Sequence, residues 1–143
     1  MKYRFLEEIA LADTAFEAFG KDEKELFENA ALAVSEVMCE TKKLKADGKK
    51  EIELQAENLE QLLHRFLSEL VYLKDAEQLV FSKFRVQIKK EKNKYTLKAQ
   101  IVGQKIPETG EQVMKTDVKA ITWHQFGIQK TKKGFTATVI LDV

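Results

Sequence analysis

The amino-acid sequence predicts an α+β fold, with two amphipathic helices packed on a largely antiparallel sheet or pair of sheets. Two stretches carry apolar residues at helical spacing, Leu26 to Met38 and Leu59 to Val71. Several others alternate apolar and polar residues, which is typical of strands with one buried face. The order strand, helix, strand occurs twice, which suggests an internal duplication of the pattern rather than of the residues.

Length and composition indicate one globular domain that spans residues 1–143. Of the 143 residues, 44% are hydrophobic, which is enough for a core of ordinary size. No apolar run approaches the roughly 18 residues that a membrane span needs, and the N-terminal residues lack the apolar segment of a signal peptide. The single cysteine, Cys39, excludes an internal disulfide and fits a reducing compartment. We therefore expect a soluble, cytoplasmic protein with no membrane partner.

Charged residues are sorted along the chain, although the formal net charge is only +1. Residues 1–79 carry 11 basic and 18 acidic side chains, whereas residues 80–143 carry 13 basic and 5 acidic ones. A basic half is one feature of proteins that bind nucleic acids. Lysines that alternate along a strand more often form its solvated face, and we interpret these lysines in that way.

The first part of the chain predicts two short strands and a helix. Tyr3 to Glu7 alternates weakly, and Ala10 to Gly20 is interpreted as a turn into a second strand. Asp22 stands at an N-cap position with Glu25 three residues later, which is the pattern of a capping box. We expect a helix of about four turns, followed by a charged loop from Lys42 to Lys50.

The second helix is expected to be the core helix because it has the clearest apolar stripe. A one-sided strand over residues 51–56 precedes it, and Asn58 is its expected N-cap, with Gln61 at the matching position. His64 falls on the polar face of this helix beside Arg65, and we interpret it as a solvated residue. The stripe comprises Leu59, Leu62, Leu63, Phe66, Leu67, Leu70 and Val71.

Two β-hairpins are predicted in the second half of the chain. The first hairpin turns at Lys92 and Asn93, and the second turns between Lys130 and Gly134. Gly103 to Val113 is expected to be a loop, and Lys115 to Trp123 fits either a strand or irregular structure. The four hairpin strands are expected over Phe84 to Ile88, Tyr95 to Ile101, Phe126 to Gln129 and Phe135 to Leu141.

The last strand runs to the final residue, Val143, and carries Asp142 beside it. Chain ends fray unless they are tied down, so a β-rich end suggests a terminus built into the sheet. The Asp142 side chain and the Val143 carboxylate would then lie side by side on a rigid element. Such a pair repels itself unless a cation or a basic group of a partner lies between the two.

Standard catalytic signatures do not occur in this sequence. It has no glycine-rich phosphate loop, no Gly-x-Ser-x-Gly and no zinc-ligand spacing. An enzyme with complete chemistry of its own is therefore not expected. The informative polar residues are Asp13, Lys119, His124 and Asp142, although each taken alone fits an ordinary turn, strand-edge or surface role.

Four segments together resemble the archease family, the small activator proteins of the tRNA-splicing RNA ligase that joins 3′-phosphate ends using GTP. The similarity extends over nearly the whole chain. The family usually has His-Thr-Ala-Asp-x-Gly in the first segment, where this chain has Ala10-Leu-Ala-Asp13-Thr-Ala15. The segments are Ala12 to Gly20, Leu26 to Ala33, Leu67 to Leu73 with Asp75, Glu77 and Leu79 to Phe81, and Lys115 to His124 with Asp142 and Val143.

The resemblance implies a protein that is not an enzyme but speeds guanylylation of the ligase and supports its repeated turnover. It implies a divalent cation held by Asp13, Asp142 and the C-terminal Val143, with Ca²⁺ expected and Mg²⁺ or Mn²⁺ as alternatives. It also implies that Lys119 and His124 contact the partner, that tRNA is reached only through the ligase, and that the fold is a duplicated strand-helix-strand-strand. Carboxylate oxygens are hard donors, which suits Ca²⁺ or Mg²⁺ rather than a thiophilic metal.

Two other functions remain open on the sequence. A module that binds RNA directly would use the cations of the first hairpin, although aromatic residues for base stacking are sparse there beyond Tyr95. A small metal-dependent hydrolase would use Asp13 and Asp142 as ligands and His124 as the base. The hairpin cations are Lys83, Arg85, Lys89, Lys94 and Lys98.

Overall fold

A computed structural model describes residues 1–6, 13–108 and 112–143 of the chain. The strands of this part are β1 (Tyr3–Leu6), β2 (Asp13–Gly20), β3 (Gly48–Ala56), β4 (Leu79–Glu91), β5 (Lys94–Lys105), β6 (Ala120–Ile121), β7 (Gly127–Thr131) and β8 (Gly134–Asp142). The helices are α1 (Glu23–Met38) and α2 (Leu59–Glu77), and a 3₁₀ turn covers Thr41–Lys43.

These strands form two antiparallel sheets. The first has the order β1-β2-β8-β6, and β7 also pairs with β8, so β6 and β7 follow one another along the same edge of β8. The second has the order β3-β5-β4. The predicted α+β class is confirmed, and strand, helix and strand do follow one another twice, as β2-α1-β3 and β3-α2-β4.

Both helices begin at the residues that the sequence predicts as caps. Asp22 accepts a hydrogen bond from the backbone N–H of Glu25 at 2.9 Å, and the Glu25 carboxylate accepts one from the N–H of Lys21 at 3.1 Å. Asn58 accepts from the N–H of Gln61 at 2.9 Å. The bonds to Asp22 and Asn58 satisfy donors that the first turn of a helix otherwise leaves free.

The core lies between the helices and one face of each sheet. The predicted stripe of α2 is buried apart from the half-buried Leu59, and Phe66 at its centre is fully buried and stacks on Phe27 of α1, with ring centroids 6.3 Å apart. β8 adds Ala137, Val139 and Leu141 to the same core. None of the helices among residues 1–6, 13–108 and 112–143 is long and apolar enough to cross a membrane.

Several expected boundaries need correction. The charged loop from Lys42 to Lys50 is shorter than expected, because β3 already begins at Gly48. The loop expected from Gly103 begins three residues later, at Ile106, because β5 extends to Lys105. Gly103 is a strand residue at the bulge between β4 and β5, where a Cβ atom would lie 1.9 Å from the carbonyl oxygen of Val80. Glycine is therefore needed there for a close backbone approach rather than for a turn.

Candidate metal and partner-contact site

Asp13 and Asp142 lie directly opposite each other on neighbouring strands. Asp13 opens β2, Asp142 closes β8, and the two are paired in the antiparallel register of these strands. Side chains of opposed residues project from the same face of a sheet, with Cβ atoms roughly 5 Å apart. Phe16 and Val139, three residues away along each strand, project from the opposite face and are in the core. The two carboxylates therefore lie on the face that is turned away from the helices.

This pairing creates a local excess of negative charge. Like charges directly opposite one another destabilise a sheet, and no salt bridge neutralises either aspartate among the residues described. Both side chains are half-buried. The donor set is therefore carboxylate oxygen, which suits a hard divalent cation.

Val143 follows Asp142 and is held in place by its side chain. It is half-buried and packs against the core. A carboxylate at this residue would be a third oxygen donor beside the Asp142 side chain. Among the described residues, no three side chains of His, Cys, Asp and Glu come together as a metal-binding group, so the two aspartate side chains do not form a complete metal site with other side chains of this part of the chain.

Lys119 lies next to this pair on the edge of the first sheet. Its backbone N–H donates to the carbonyl of Asp142 at 2.8 Å, and the following Ala120 is the β6 partner of Asp142. The Lys119 side chain is exposed and lines a shallow depression together with Tyr72 of α2. The structure thus brings Lys119 and Asp142 into neighbouring positions.

His124 is exposed in the turn between β6 and β7, where Gln125 has a left-handed backbone (φ 52°). It is not grouped with Asp13 and Asp142 among the residues described. Among the described residues, His124 therefore does not form a metal-binding group with the two aspartates.

The prediction that His64 is a solvated surface residue is wrong. Its side chain is half-buried, its Nε2 lies 2.8 Å from the carbonyl oxygen of Ile121, and its ring stacks on Trp123 with centroids 3.8 Å apart and planes 5° apart. Burial lowers the pKa of His64, and the hydrogen bond to Ile121 opposes this shift only in part. The polar face of α2 is covered by residues far away in the sequence, which a helical pattern alone cannot show.

A buried lysine fixes the segment that leads into β6. The Lys74 side chain is only 4% exposed and bridges Asp75, at 2.6 Å, and Asp117. Burial alone would lower the pKa of Lys74, but its hydrogen bonds to the two carboxylates outweigh this effect and the net shift is upward. Lys74 therefore remains charged and ties the segment before Lys119 to α2.

The cations of the first hairpin share one exposed face, as the sequence predicts. They are mixed with acidic and neutral groups, because Lys98 pairs with Glu53 of β3 and Arg85 pairs with Gln100. Tyr95 lies on the opposite face and packs against the core. The face therefore offers no stacking platform beside its cations, which disfavours base stacking on this hairpin.

The fold agrees with comparisons to known proteins. Residues 3–143 match the model of the Archease protein family (MTH1598/TM1083). The chain is 41% identical to Protein archease of Methanosarcina barkeri, covering 99% of this chain and 96% of that protein. It is 35% identical to Protein archease of Archaeoglobus fulgidus over the full length of both. The chain belongs to the archease family.

Solved structures are similar over almost the whole chain. The solution structure of Methanobacterium thermoautotrophicum protein 1598 is 35% identical, covers 99% of this chain and 98% of its own, and has a TM-score of 0.86. A crystal structure from Thermotoga maritima, described as an archease and possible chaperone, is 20% identical, covers 94% of this chain and 93% of its own, and has a TM-score of 0.62. The second similarity concerns the fold alone.

The altered first motif falls partly outside the described residues. Ala10, where the family usually has histidine, lies in the range 7–12. Ala15, where the family usually has glycine, is a buried β2 residue opposite Ile140. An alanine Cβ is thus accommodated in this strand without loss of pairing.

Proposed function

We propose that this protein is an activator of the GTP-dependent RNA ligase that joins 3′-phosphate ends in tRNA splicing. In this role it is not an enzyme; it promotes guanylylation of the ligase and repeated turnover. Membership of the archease family supports the proposal. The observation that carries it is the cross-strand pairing of Asp13 with Asp142, because it concentrates carboxylate oxygens at one end of two neighbouring strands.

Asp13, Asp142 and the carboxylate of Val143 would hold a divalent cation, with Ca²⁺ favoured over Mg²⁺ or Mn²⁺. Calcium takes six to eight oxygen ligands, so three carboxylates leave positions for water or for groups of the ligase. The cation would neutralise the repulsion between the paired aspartates and present positive charge to a partner. Lys119 and His124, both exposed, would contact the ligase beside it.

The partner in this proposal is a protein, and tRNA is reached only through it. The mixed charges on the hairpin face agree with this, because they provide no continuous basic track for a phosphate backbone. The buried, free Cys39 fits a reducing cytoplasm. Burial and the nearby Glu36 raise the pKa of Cys39 to about 12, so it remains a thiol at neutral pH and an unreactive part of the core.

The test is guanylylation of the ligase by GTP, measured with and without this protein. The wild-type protein should raise the rate and the number of turnovers, and Asp13→Asn or Asp142→Asn should abolish most of that gain. Glu53→Gln, which changes an exposed carboxylate on β3 of the other sheet, is the matched control and should activate normally.

Tags at the two ends give a second comparison that changes no side chain. A C-terminal tag converts the Val143 carboxylate into an amide and adds chain beside Asp142, so both metal affinity and activation should fall. An N-terminal tag should have little effect. If the two tagged proteins activate the ligase equally, Val143 is not part of the site. If the untagged protein leaves the guanylylation rate of the ligase unchanged, the proposed function itself is contradicted.

A further inference from the structure

Two large aromatic side chains are exposed on one side of the molecule. Trp123 is 58% exposed and Tyr72 is 57% exposed. The other large hydrophobic residues exposed in the described ranges are Met1 and Phe5, and Phe5 lies on β1, at the opposite edge of the first sheet from β6. Tryptophan and tyrosine are enriched among the residues that dominate binding energy at protein interfaces.

Residues of α2 connect these two side chains. His64, Ser68 and Tyr72 follow at intervals of four, so they lie in a row along about 12 Å of the helix. Trp123 stacks on His64 at one end of the row. Tyr72 and Ser68 at the other end line a shallow depression of about 250 Å³ with Lys119 and Ile121. We call His64, Ser68, Tyr72 and Trp123 the aromatic strip.

Trp123 is held in place before any partner arrives. One face of its indole covers the His64 ring at 3.8 Å, and Phe126 packs edge-on against both rings. The backbone before Trp123 is tied to β8, since the N–H of Thr122 donates to the carbonyl of Ile140 at 3.0 Å and that of Lys119 donates to the carbonyl of Asp142 at 2.8 Å. A side chain that is already ordered loses little entropy on binding, so an exposed indole fixed in this way is suited to act as an anchor.

Strand β6 lies between the strip and the strand that carries Asp142. Ala120 of β6 is the partner of Asp142, and the next residue, Ile121, accepts the hydrogen bond of His64. Strand β6 therefore has the carboxylates on one side and the strip on the other. A protein that engages Asp142 at this edge and extends across β6 would cover Tyr72 and Trp123.

We propose that the aromatic strip is the docking surface for the RNA ligase, with Trp123 as the anchor and His64 as the residue that positions it. This inference rests on the proposed function. The matching surface of the ligase would be an apolar cleft for the indole and the Tyr72 ring, with polar groups at its rim for Lys119 and Ser68. Docking and activation are then separate tasks, performed by the strip and by the carboxylates.

The experiment measures ligase binding and guanylylation as functions of the concentration of this protein, immobilised or tagged only at its N-terminus. Trp123→Ser and Tyr72→Ser should each weaken binding about tenfold or more and raise the half-maximal activating concentration by the same factor. The maximum rate at saturation should remain close to wild type. Phe5→Ser, which removes an exposed aromatic from the far edge, is the control and should match wild type in both readouts.

Tyr72→Ser leaves the His64 stack intact, so it tests the strip even where Trp123→Ser loosens the segment. Asp142→Asn should show the opposite pattern from the strip variants. It should lower the maximum guanylylation rate at saturation and leave the half-maximal activating concentration close to wild type. If the wild-type protein activates the ligase but Tyr72→Ser and Trp123→Ser both behave like Phe5→Ser, the docking surface is overturned. The proposed function would still stand in that case. Failure of the wild-type protein to bind or activate the ligase would overturn both.

RNA alone provides the remaining comparison. A single-stranded oligonucleotide without ligase should leave the fluorescence of Trp123, the single tryptophan of the chain, unchanged. Quenching that weakens with salt and disappears in Trp123→Ser would overturn protein docking and show that the indole stacks on a nucleobase.

Discussion

The imidazole of His64 lies flat on the indole of Trp123, with ring centroids 3.8 Å apart and an interplanar angle of 5°. The two residues are far apart in the sequence, and the segment Lys115 to Trp123 brings them together. His64 is therefore both a structural contact of this segment and a titratable group beside the single tryptophan.

The first prediction concerns the pH dependence of this contact. The pKa of His64 is lowered by burial from its ordinary value of 6.5, so the unfolded chain binds a proton more readily than the folded one. The stability associated with neutral His64 is fully present above pH 6.5. It decreases as the pH falls below that value, and it is lost once the pH has passed the lower pKa of the folded state.

Urea unfolding between pH 8 and pH 5 should therefore show a loss of stability that is smaller in His64→Phe, which keeps a ring against Trp123 but cannot be protonated. Trp123 fluorescence should change over the same acidic range in the wild type and stay flat in the variant. An identical pH profile in the two proteins would mean that His64 does not titrate in the way its burial requires.

Local features of the fold could be predicted because they depend on nearby residues. Asp22 and Asn58 cap the helices three residues from their partners, and the stripe around Phe66 faces the core because helical spacing puts it on one side. The register of the first hairpin also follows from its turn. These interactions form within one element or between two neighbouring elements, so they can be predicted from the spacing of residues in the sequence.

The surroundings of His64 could not be predicted, because the ring contacts Ile121 and Trp123 only after the sheet has formed. The same is true of the pairing between Asp13 and Asp142, which depends on the register of two strands at opposite ends of the chain. The periodicity of apolar residues does not indicate which strands pair or in which register. The resemblance to a family supplied the expectation of a shared site, and the cross-strand register accounts for the proximity of the two aspartates.

The second prediction tests the core. Phe66→Ala should destabilise the protein by about 3–5 kcal/mol, because Phe66 is fully buried and its removal leaves a cavity against Phe27. Denaturant unfolding measures this change. Lys83→Ala and Arg85→Ala, on the exposed face of β4, are the controls and should stay within about 0.5 kcal/mol of wild type. A change below about 1 kcal/mol for Phe66→Ala would contradict the packing of α2 against α1.

The last prediction separates a metal site from a purely structural role of Asp142. Without metal, Asp142→Asn should melt at the same temperature as wild type or higher, because removing one of two opposed carboxylates relieves repulsion with Asp13. With calcium, wild type should become the more stable protein, since a ligand stabilises only the chain that binds it, by about 2.7 kcal/mol at 100 times the dissociation constant. Thermal melts of both proteins, each with calcium and with chelator, should therefore show that the order of their melting temperatures inverts when calcium is added.

Glu53→Gln, which alters an exposed carboxylate on the other sheet, is the control and should respond to calcium as wild type does. Parallel responses of wild type and Asp142→Asn would assign Asp142 a structural role and exclude a cation shared with Asp13.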